Sequence, residues 1–222
     1  MLKSTYLVTY FVSLTWYFIP ITSKHWVLIS PPGSGKGTLS QYMVEKYGYI
    51  HIGAGDIYRK RMRNNASVEP AIFLEILKRY MVTAIQNNQK IILDNAIASQ
   101  AQFRFWKSFF QMHNITNDVC FIVLQASDQT CMNRIKQRLV CTKCFNVCKK
   151  LSSKNQHCSQ CGNILSKRNE DNDTFVKKRF QYYHQKINPV IKEIEESFQV
   201  IKISSEQSLE TLYSIYDELH NL

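Results

Sequence analysis

The chain has 222 residues, 45% hydrophobic and 20% charged, with a net charge of +11. That balance excludes a disordered chain and allows one sizeable α/β domain with a small insert. The basic excess points to a polyanionic partner, either nucleotide phosphates or nucleic acid, and it is uneven: residues 134–179 hold twelve Lys or Arg against three Asp or Glu.

In chain order, Ser4–Ser23 carries no charge and lies between Lys3 and Lys24. It is long enough for a signal or a membrane anchor, although Thr5, Thr9, Ser13, Thr15 and Pro20 dilute it. A mis-assigned start is the third reading, and residues 1–23 stay outside the fold argument. Trp26–Ile29 is a short apolar strand. Ser30–Thr38 follows, reading Ser-Pro-Pro-Gly-Ser-Gly-Lys-Gly-Thr, and holds three of the chain's seven glycines. Leu39–Tyr47 continues with apolar residues at helical spacing. A strand, a Gly-rich loop and a helix in that order form the context of a phosphate-binding loop. The glycines let the backbone close into an anion nest, to which the helix N-terminus adds its positive end. Pro32, Gly33, Ser34, Gly35, Lys36, Gly37 and Thr38 are therefore the candidate nucleotide site. Lys36 would meet the β- and γ-phosphates, and Thr38 would serve Mg²⁺ directly or through water.

Tyr49–Ile52 predicts a second strand, and Gly53-Ala54-Gly55-Asp56 leads into a helix that Asp56 can cap, with Arg59 one turn inside. Glu69–Asn87 predicts a longer helix. Lys90–Asp94 is a third strand ending in a carboxylate. Ser99–His113 is helical, and Phe103, Trp106, Phe109 and Phe110 form a core-facing stripe. Val119–Ala126 is a fourth strand. A helix capped by Ser127-Asp128 runs to about Val140, with Arg134 and Arg138 stacked four apart. Asp173–Glu196 is helical with a break near Asn188-Pro189, Phe198–Ile203 is a fifth strand, and Ser208–Leu222 closes the chain. This alternation predicts a five-stranded parallel sheet with helices on both faces and a ligand site at the carboxyl ends of the strands. Gly33, Gly55 and Asp94 converge there.

Five of the seven cysteines fall within residues 141–161. Cys141-x-x-Cys144 and Cys158-x-x-Cys161 are two knuckles that suit a closed, structural Zn²⁺ site, with Cys148 and His157 as substitute ligands. So short an insert cannot bury its own core, so the metal would hold it together. This usage also favours a reducing compartment. Arg134 and Arg138 precede the insert and Arg168 and Arg179 follow it, a set that can surround a polyphosphate, with Glu170 and Asp171 placed to orient some of them. Without the phosphate loop, the same residues read as a solvated basic helix pair.

Taken together, these residues resemble the adenylate kinase family of nucleoside monophosphate kinases in its zinc-lid form, over about residues 25–222. Residues 32–38 resemble the family's phosphate loop, and Gly55-Asp56 with Arg59 resembles its monophosphate-site stretch. Arg134 and Arg138 match the arginines that open the lid and meet ATP. Arg168 with Glu170-Asp171 matches the stretch that closes the lid, and Arg179 falls at the spacing of a further catalytic arginine. The resemblance implies a P-loop NTPase-like core over 24–222, with a monophosphate segment at 54–90 and a zinc lid at 140–167. It also implies phosphoryl transfer from Mg-ATP to AMP or another nucleoside monophosphate. Lys36, Arg134, Arg168 and Arg179 would be catalytic. Gly55, Asp56, Arg59, Asp94, Gln102, Arg168 and Arg179 would bind the acceptor, with Gln102 the candidate for reading the base and Asp94 able to hold Mg²⁺ through water.

Three features depart from the family. The strand that normally ends Asp-Gly-Phe-Pro-Arg reads Asp94-Asn95-Ala96-Ile97-Ala98, so the monophosphate-gripping arginine is Ala98. Ala54 replaces a hydroxyl residue, and the stretch from Asp56 to Asp94 is short. Arg61, Arg63 and Arg104 are candidates to compensate. The expected chain is a cytoplasmic monomer without a stable nucleic-acid partner, on a membrane only if residues 4–23 are kept as an anchor. Two other functions stand beside it: a kinase of another acceptor, and a nucleotide-dependent binding module that grips nucleic acid. Only Phe145 among the knuckle residues could stack on a base, which weakens the last.

Overall fold

A computed structural model of the chain describes residues 24–64, 69–144, 147–149 and 157–221. The readings of residues 1–23 and the side chains of Arg63 and Cys148 lie outside the described residues. The strands, in chain order, are β1 (His25–Ile29), β2 (Ile50–Gly53), β3 (Ile91–Asp94), β4 (Val119–Gln125), β5 (Arg138–Cys141), β6 (Val147–Lys149), β7 (Leu165–Ser166) and β8 (Gln199–Ser204). Five of them pair in parallel in the order β2-β3-β1-β4-β8, the sheet expected from the alternating pattern. All of β1 and all of β4 but Gln125 are buried, so these strands read as unbroken apolar runs.

The helices are α1 (Lys36–Tyr47), α2 (Ala54–Arg63), α3 (Pro70–Gln86), α4 (Gln100–Met112), α5 (Asp128–Gln137), α6 (Asp173–Tyr182), α7 (Asn188–Glu195) and α8 (Leu209–Asn221). One face of the sheet packs against Leu77 and Met81 of α3, Phe103 and Trp106 of α4, and Ile191 and Ile194 of α7. The aromatic stripe of α4 is therefore core, as its spacing predicts. Leu39 and Met43 of α1 and Leu212 and Tyr216 of α8 cover the other face. A π-helical turn, Tyr183–Ile187, joins α6 to α7 just ahead of the break expected at Asn188-Pro189. No helix among the described residues is long and apolar enough to cross a membrane.

Three local readings need correcting. Asp56 does not cap α2: the helix begins at Ala54, after Gly53 as cap, so Gly55 and Asp56 both lie in its first turn. The helix expected to reach Val140 stops at Gln137. Arg138 instead opens β5, which pairs antiparallel with β6 and β7 in a second, three-stranded sheet. Arg134 and Arg138 are thus not stacked on one helix. The apolar run Leu139-Val140-Cys141 takes extended partners in the insert, and sheet pairing outweighs local helix propensity.

Candidate functional site

The loop after β1 is the centre of the site. Gly33 (φ +84°) and Gly35 (φ +108°) adopt left-handed conformations that side chains disfavour. Gly33 is also a point of close approach. A Cβ there would lie 2.6 Å from the Cys131 carbonyl oxygen and 2.9 Å from Ile135 Cγ1, so the loop rests directly on α5. Lys36 folds its amine back over the loop, donating to Ser30 Oγ at 2.7 Å and to the Ser30 carbonyl at 3.3 Å. The Ser30 and Ser34 hydroxyls are in contact. Burial lowers the Lys36 pKa, Asp94 opposes that, and Arg179 and Arg138 reinforce it. The amine therefore lies within electrostatic reach of β3 and of both arginines. Thr38 is exposed on the first turn of α1.

The arginines arrive from separate elements. Arg134, on α5, donates to the Ser34 carbonyl (3.2 Å) and to the Ser205 carbonyl (2.6 Å), joining the loop to the turn after β8. Arg138 binds Asp171 with both Nε and Nη2. The Asp171 side chain is only 2% exposed, so this bidentate pair is well shielded from water. Arg59 bridges Asp56 and Glu170, reaching the latter at 3.1 Å. Glu170 and Asp171 thus orient arginines as expected. Burial, with Arg138 and Arg59 close by, depresses the Arg168 pKa to about 10. Burial and Arg138 likewise depress that of Arg179, whose Nη1 is buried without a hydrogen-bond partner. Guanidiniums crowded enough to disfavour one another's charge make a site suited to a polyanion.

The end of β3 and the loop after it are arranged differently. Asp94 ends β3 with Oδ1 buried and unpartnered and Oδ2 3.6 Å from His51 Nε2. Burial works against protonation of His51, but Asp94 and Asp56 outweigh it and raise its pKa. Asn95 takes φ +57°, a turn geometry asparagine tolerates. At Ala98 the backbone N–H donates to Gln102 Oε1 at 2.6 Å, and the carbonyl accepts from Tyr182 OH at 2.8 Å. Gln102 therefore turns its amide oxygen toward its own loop. Arg104 is 67% exposed and lies 3.9 Å from Glu193 of α7.

The sulfurs of Cys141, Cys144, Cys158 and Cys161 lie within 4.8 Å of one another. Three pairs are 3.4–3.5 Å apart. Tetrahedral Zn²⁺ with Zn–S near 2.3 Å needs sulfurs about 3.8 Å apart, so the four fit one ion after a small outward adjustment. The knuckle suits thiolates. Burial would raise the Cys141 pKa, but backbone N–H groups of Cys144 and Lys143 and neighbouring sulfurs lower it to about 6. His157, one proposed substitute, is exposed and bridges Ile164 through its backbone.

A family model described as adenylate kinase matches residues 28–199. The chain belongs to the adenylate kinase family. Among curated relatives, the adenylate kinase of Mesomycoplasma hyopneumoniae (strain 7448) is 28% identical over 205 residues, spanning 85% of this chain and 94% of the relative. Those of Malacoplasma penetrans (28% over 209 residues; 87% and 94%) and Borreliella burgdorferi (28% over 182 residues; 74% and 83%) are similar. Within this adenylate kinase framework, sequence reasoning missed three contributors. Ser30 holds the Lys36 amine, the Ser205 carbonyl holds Arg134, and Tyr182 clamps Ala98. Ser30 adjoins the motif and was within reach of local reasoning. The other two partners lie 71 and 84 residues from the groups they hold, and no local pattern announces them.

Proposed function

We propose that the protein transfers the γ-phosphoryl group of Mg-ATP to a nucleoside monophosphate, giving two nucleoside diphosphates, with AMP the first acceptor to test. The observation that carries this reading is the convergence on Lys36: Asp94, Arg138 and Arg179, from β3, the start of β5 and α6, all lie within electrostatic reach of its amine. Phosphoryl transfer needs alignment and charge cancellation more than covalent help from the protein. The amides of residues 32–38 and Lys36 hold the donor phosphates, with Thr38 toward Mg²⁺. Arg134 and Arg138 complete the donor side, and Arg168 and Arg179 neutralise charge on the group in flight. Gly55, Asp56 and Arg59 place the acceptor phosphate, and the free oxygen of Asp94 takes a metal-bound water. The other two functions gain nothing from the family match.

Cys141, Cys144, Cys158 and Cys161 hold a structural Zn²⁺ that keeps the lid strands together, supported by the sulfur geometry. A thiolate metal site fits a reducing compartment, so we place the enzyme in the cytoplasm. One chain supplies donor, lid and acceptor residues, so the reaction requires no residue from a second copy. A coupled assay with Mg-ATP and AMP tests the kinase reading; diphosphate formation is expected. If neither AMP nor any other nucleoside monophosphate is converted while Mg-ATP still raises the melting temperature, the reading is wrong. Metal analysis should return one zinc per chain, and its removal should lower activity and lid order together.

A further inference from the structure

We propose that Ser30 and Ser34 are positioning residues, a clasp of two hydroxyls that sets Lys36 and Arg134 relative to each other for the donor phosphates. The inference rests on the kinase reading above and adds two residues that act through those cations. The phosphate-loop spacing G-x-x-x-x-G-K calls for glycine five residues before Gly35, and this chain has Ser30 there. A glycine offers the Lys36 amine only a carbonyl. Serine adds an oxygen that accepts from the amine at 2.7 Å, closer than the Ser30 carbonyl at 3.3 Å. A bond from an ammonium is of the stronger, charge-assisted kind.

A serine hydroxyl has one proton to give and two lone pairs. The Ser30 O–H donates to the Pro31 carbonyl at 3.1 Å. Its lone pairs then accept from Lys36 and from the Ser34 O–H, with which it is in contact. Donation to Pro31 polarises the Ser30 oxygen and makes it a better acceptor for the amine. Both serines are buried, Ser34 to 1% exposure, and burial strengthens such bonds. Ser34 stands between Gly33 and Gly35, two residues with wide backbone freedom. Its N–H returns to the Pro31 carbonyl at 3.4 Å, and its own carbonyl accepts from Arg134 at 3.2 Å. The bond between the two hydroxyls therefore ties the residue that holds Lys36 to the residue that holds Arg134. Cations reaching the loop from α1 and α5 are set against one pair of side chains. A flexible ammonium held in place beforehand loses less freedom when it meets a phosphate.

The test is Mg-ATP affinity by calorimetry, together with initial rates with Mg-ATP and AMP, on the full chain. Ser30→Ala keeps the Cβ and removes the hydroxyl. It should weaken Mg-ATP about tenfold, the scale of one lost hydrogen bond. It should lower kcat/KM for ATP by a similar factor and leave the KM for AMP unchanged. In a Lys36→Ala background the same substitution should change neither affinity nor rate, because a residue that acts through Lys36 has nothing left to act on. Ser34→Ala should cost less, about threefold, and nothing further once Ser30 is alanine. Wild-type affinity in Ser30→Ala overturns the proposal. So does an equal loss with and without Lys36, the result expected if the hydroxyls only shape the loop. If the wild type binds Mg-ATP but converts no nucleoside monophosphate, the kinase reading fails, and the affinities still decide the clasp.

Discussion

The loops after β1 and β3 leave adjacent strands of one sheet, yet they are built by opposite rules. The donor loop is opened by glycines, and its one cation, Lys36, already lies over the loop backbone. The acceptor loop is closed by side chains: Trp106, Tyr182 and Gln102 each take a backbone group of Ala96 or Ala98. In one, cations take the carbonyls of Ser30 and Ser34 and glycines shape the turn; in the other, neighbouring side chains take backbone groups of Ala96 and Ala98. Phosphate recognition by backbone amides survives wide sequence change, because any residue supplies an N–H. Recognition by side chains depends on which atoms remain free, and on the loop after β3 the amide oxygen of Gln102 is already taken by the Ala98 N–H.

The largest expected effect lies on the donor side. Lys36→Ala should lower kcat by about 10²–10³ or more, as when one transition-state charge partner is removed, with little change in melting temperature. A loss below tenfold would break the comparison, since the nest would then work without its cation. Next is Arg138→Ala, which leaves the Asp171 carboxylate shielded and unpaired. Breaking one partner of a buried pair costs about 3–5 kcal/mol, read from denaturant unfolding. An unchanged midpoint would show that water reaches Asp171 freely.

The acceptor side can be sharpened by addition. Ala98→Arg restores a guanidinium where the family carries one and should lower the KM for a nucleoside monophosphate by about tenfold, roughly one charge-assisted contact. The KM for ATP should stay where it is; a joint change would mean the two loops are not independent.

The smallest effect concerns the scaffold under the donor helix. Asp217 of α8 accepts from Lys46, Tyr42 and Tyr47 of α1. Burial pushes its pKa up, but these bonds prevail and lower it from 3.8 to about 2. A depressed carboxylate pKa contributes stability above the unfolded value and loses it as pH falls through the folded one. Melting temperature should therefore drop between about pH 4 and pH 2, and Asp217→Asn should flatten that slope. An identical slope in the variant would place the acid sensitivity elsewhere.

Much of the site was legible because its signals are short. Gly33 and Gly35 announce a turn that side chains resist, and the strand before and helix after give it direction. The two Cys-x-x-Cys pairs predict four convergent sulfurs, because a knuckle fixes its own two ligands. Alternating apolar periods established the five-stranded sheet and the core role of the α4 aromatics. The end of α5 was not legible. Nothing in Gln137-Arg138-Leu139 stops a helix, and the chain leaves it only because β6 and β7 offer Arg138–Cys141 better partners.

By itself, then, the sequence determined the glycine turn between β1 and α1, which residues gather the sulfurs and how the strands alternate, because each depends on groups a few residues apart. Tertiary structure alone decided which polar atoms are already taken. Asp171 on Arg138, Ser205 on Arg134 and Tyr182 on Ala98 join groups 33 to 84 residues apart. A hydrogen-bonding group leaves a mark on the sequence, but whether it is free for a ligand depends on what the rest of the chain brings beside it.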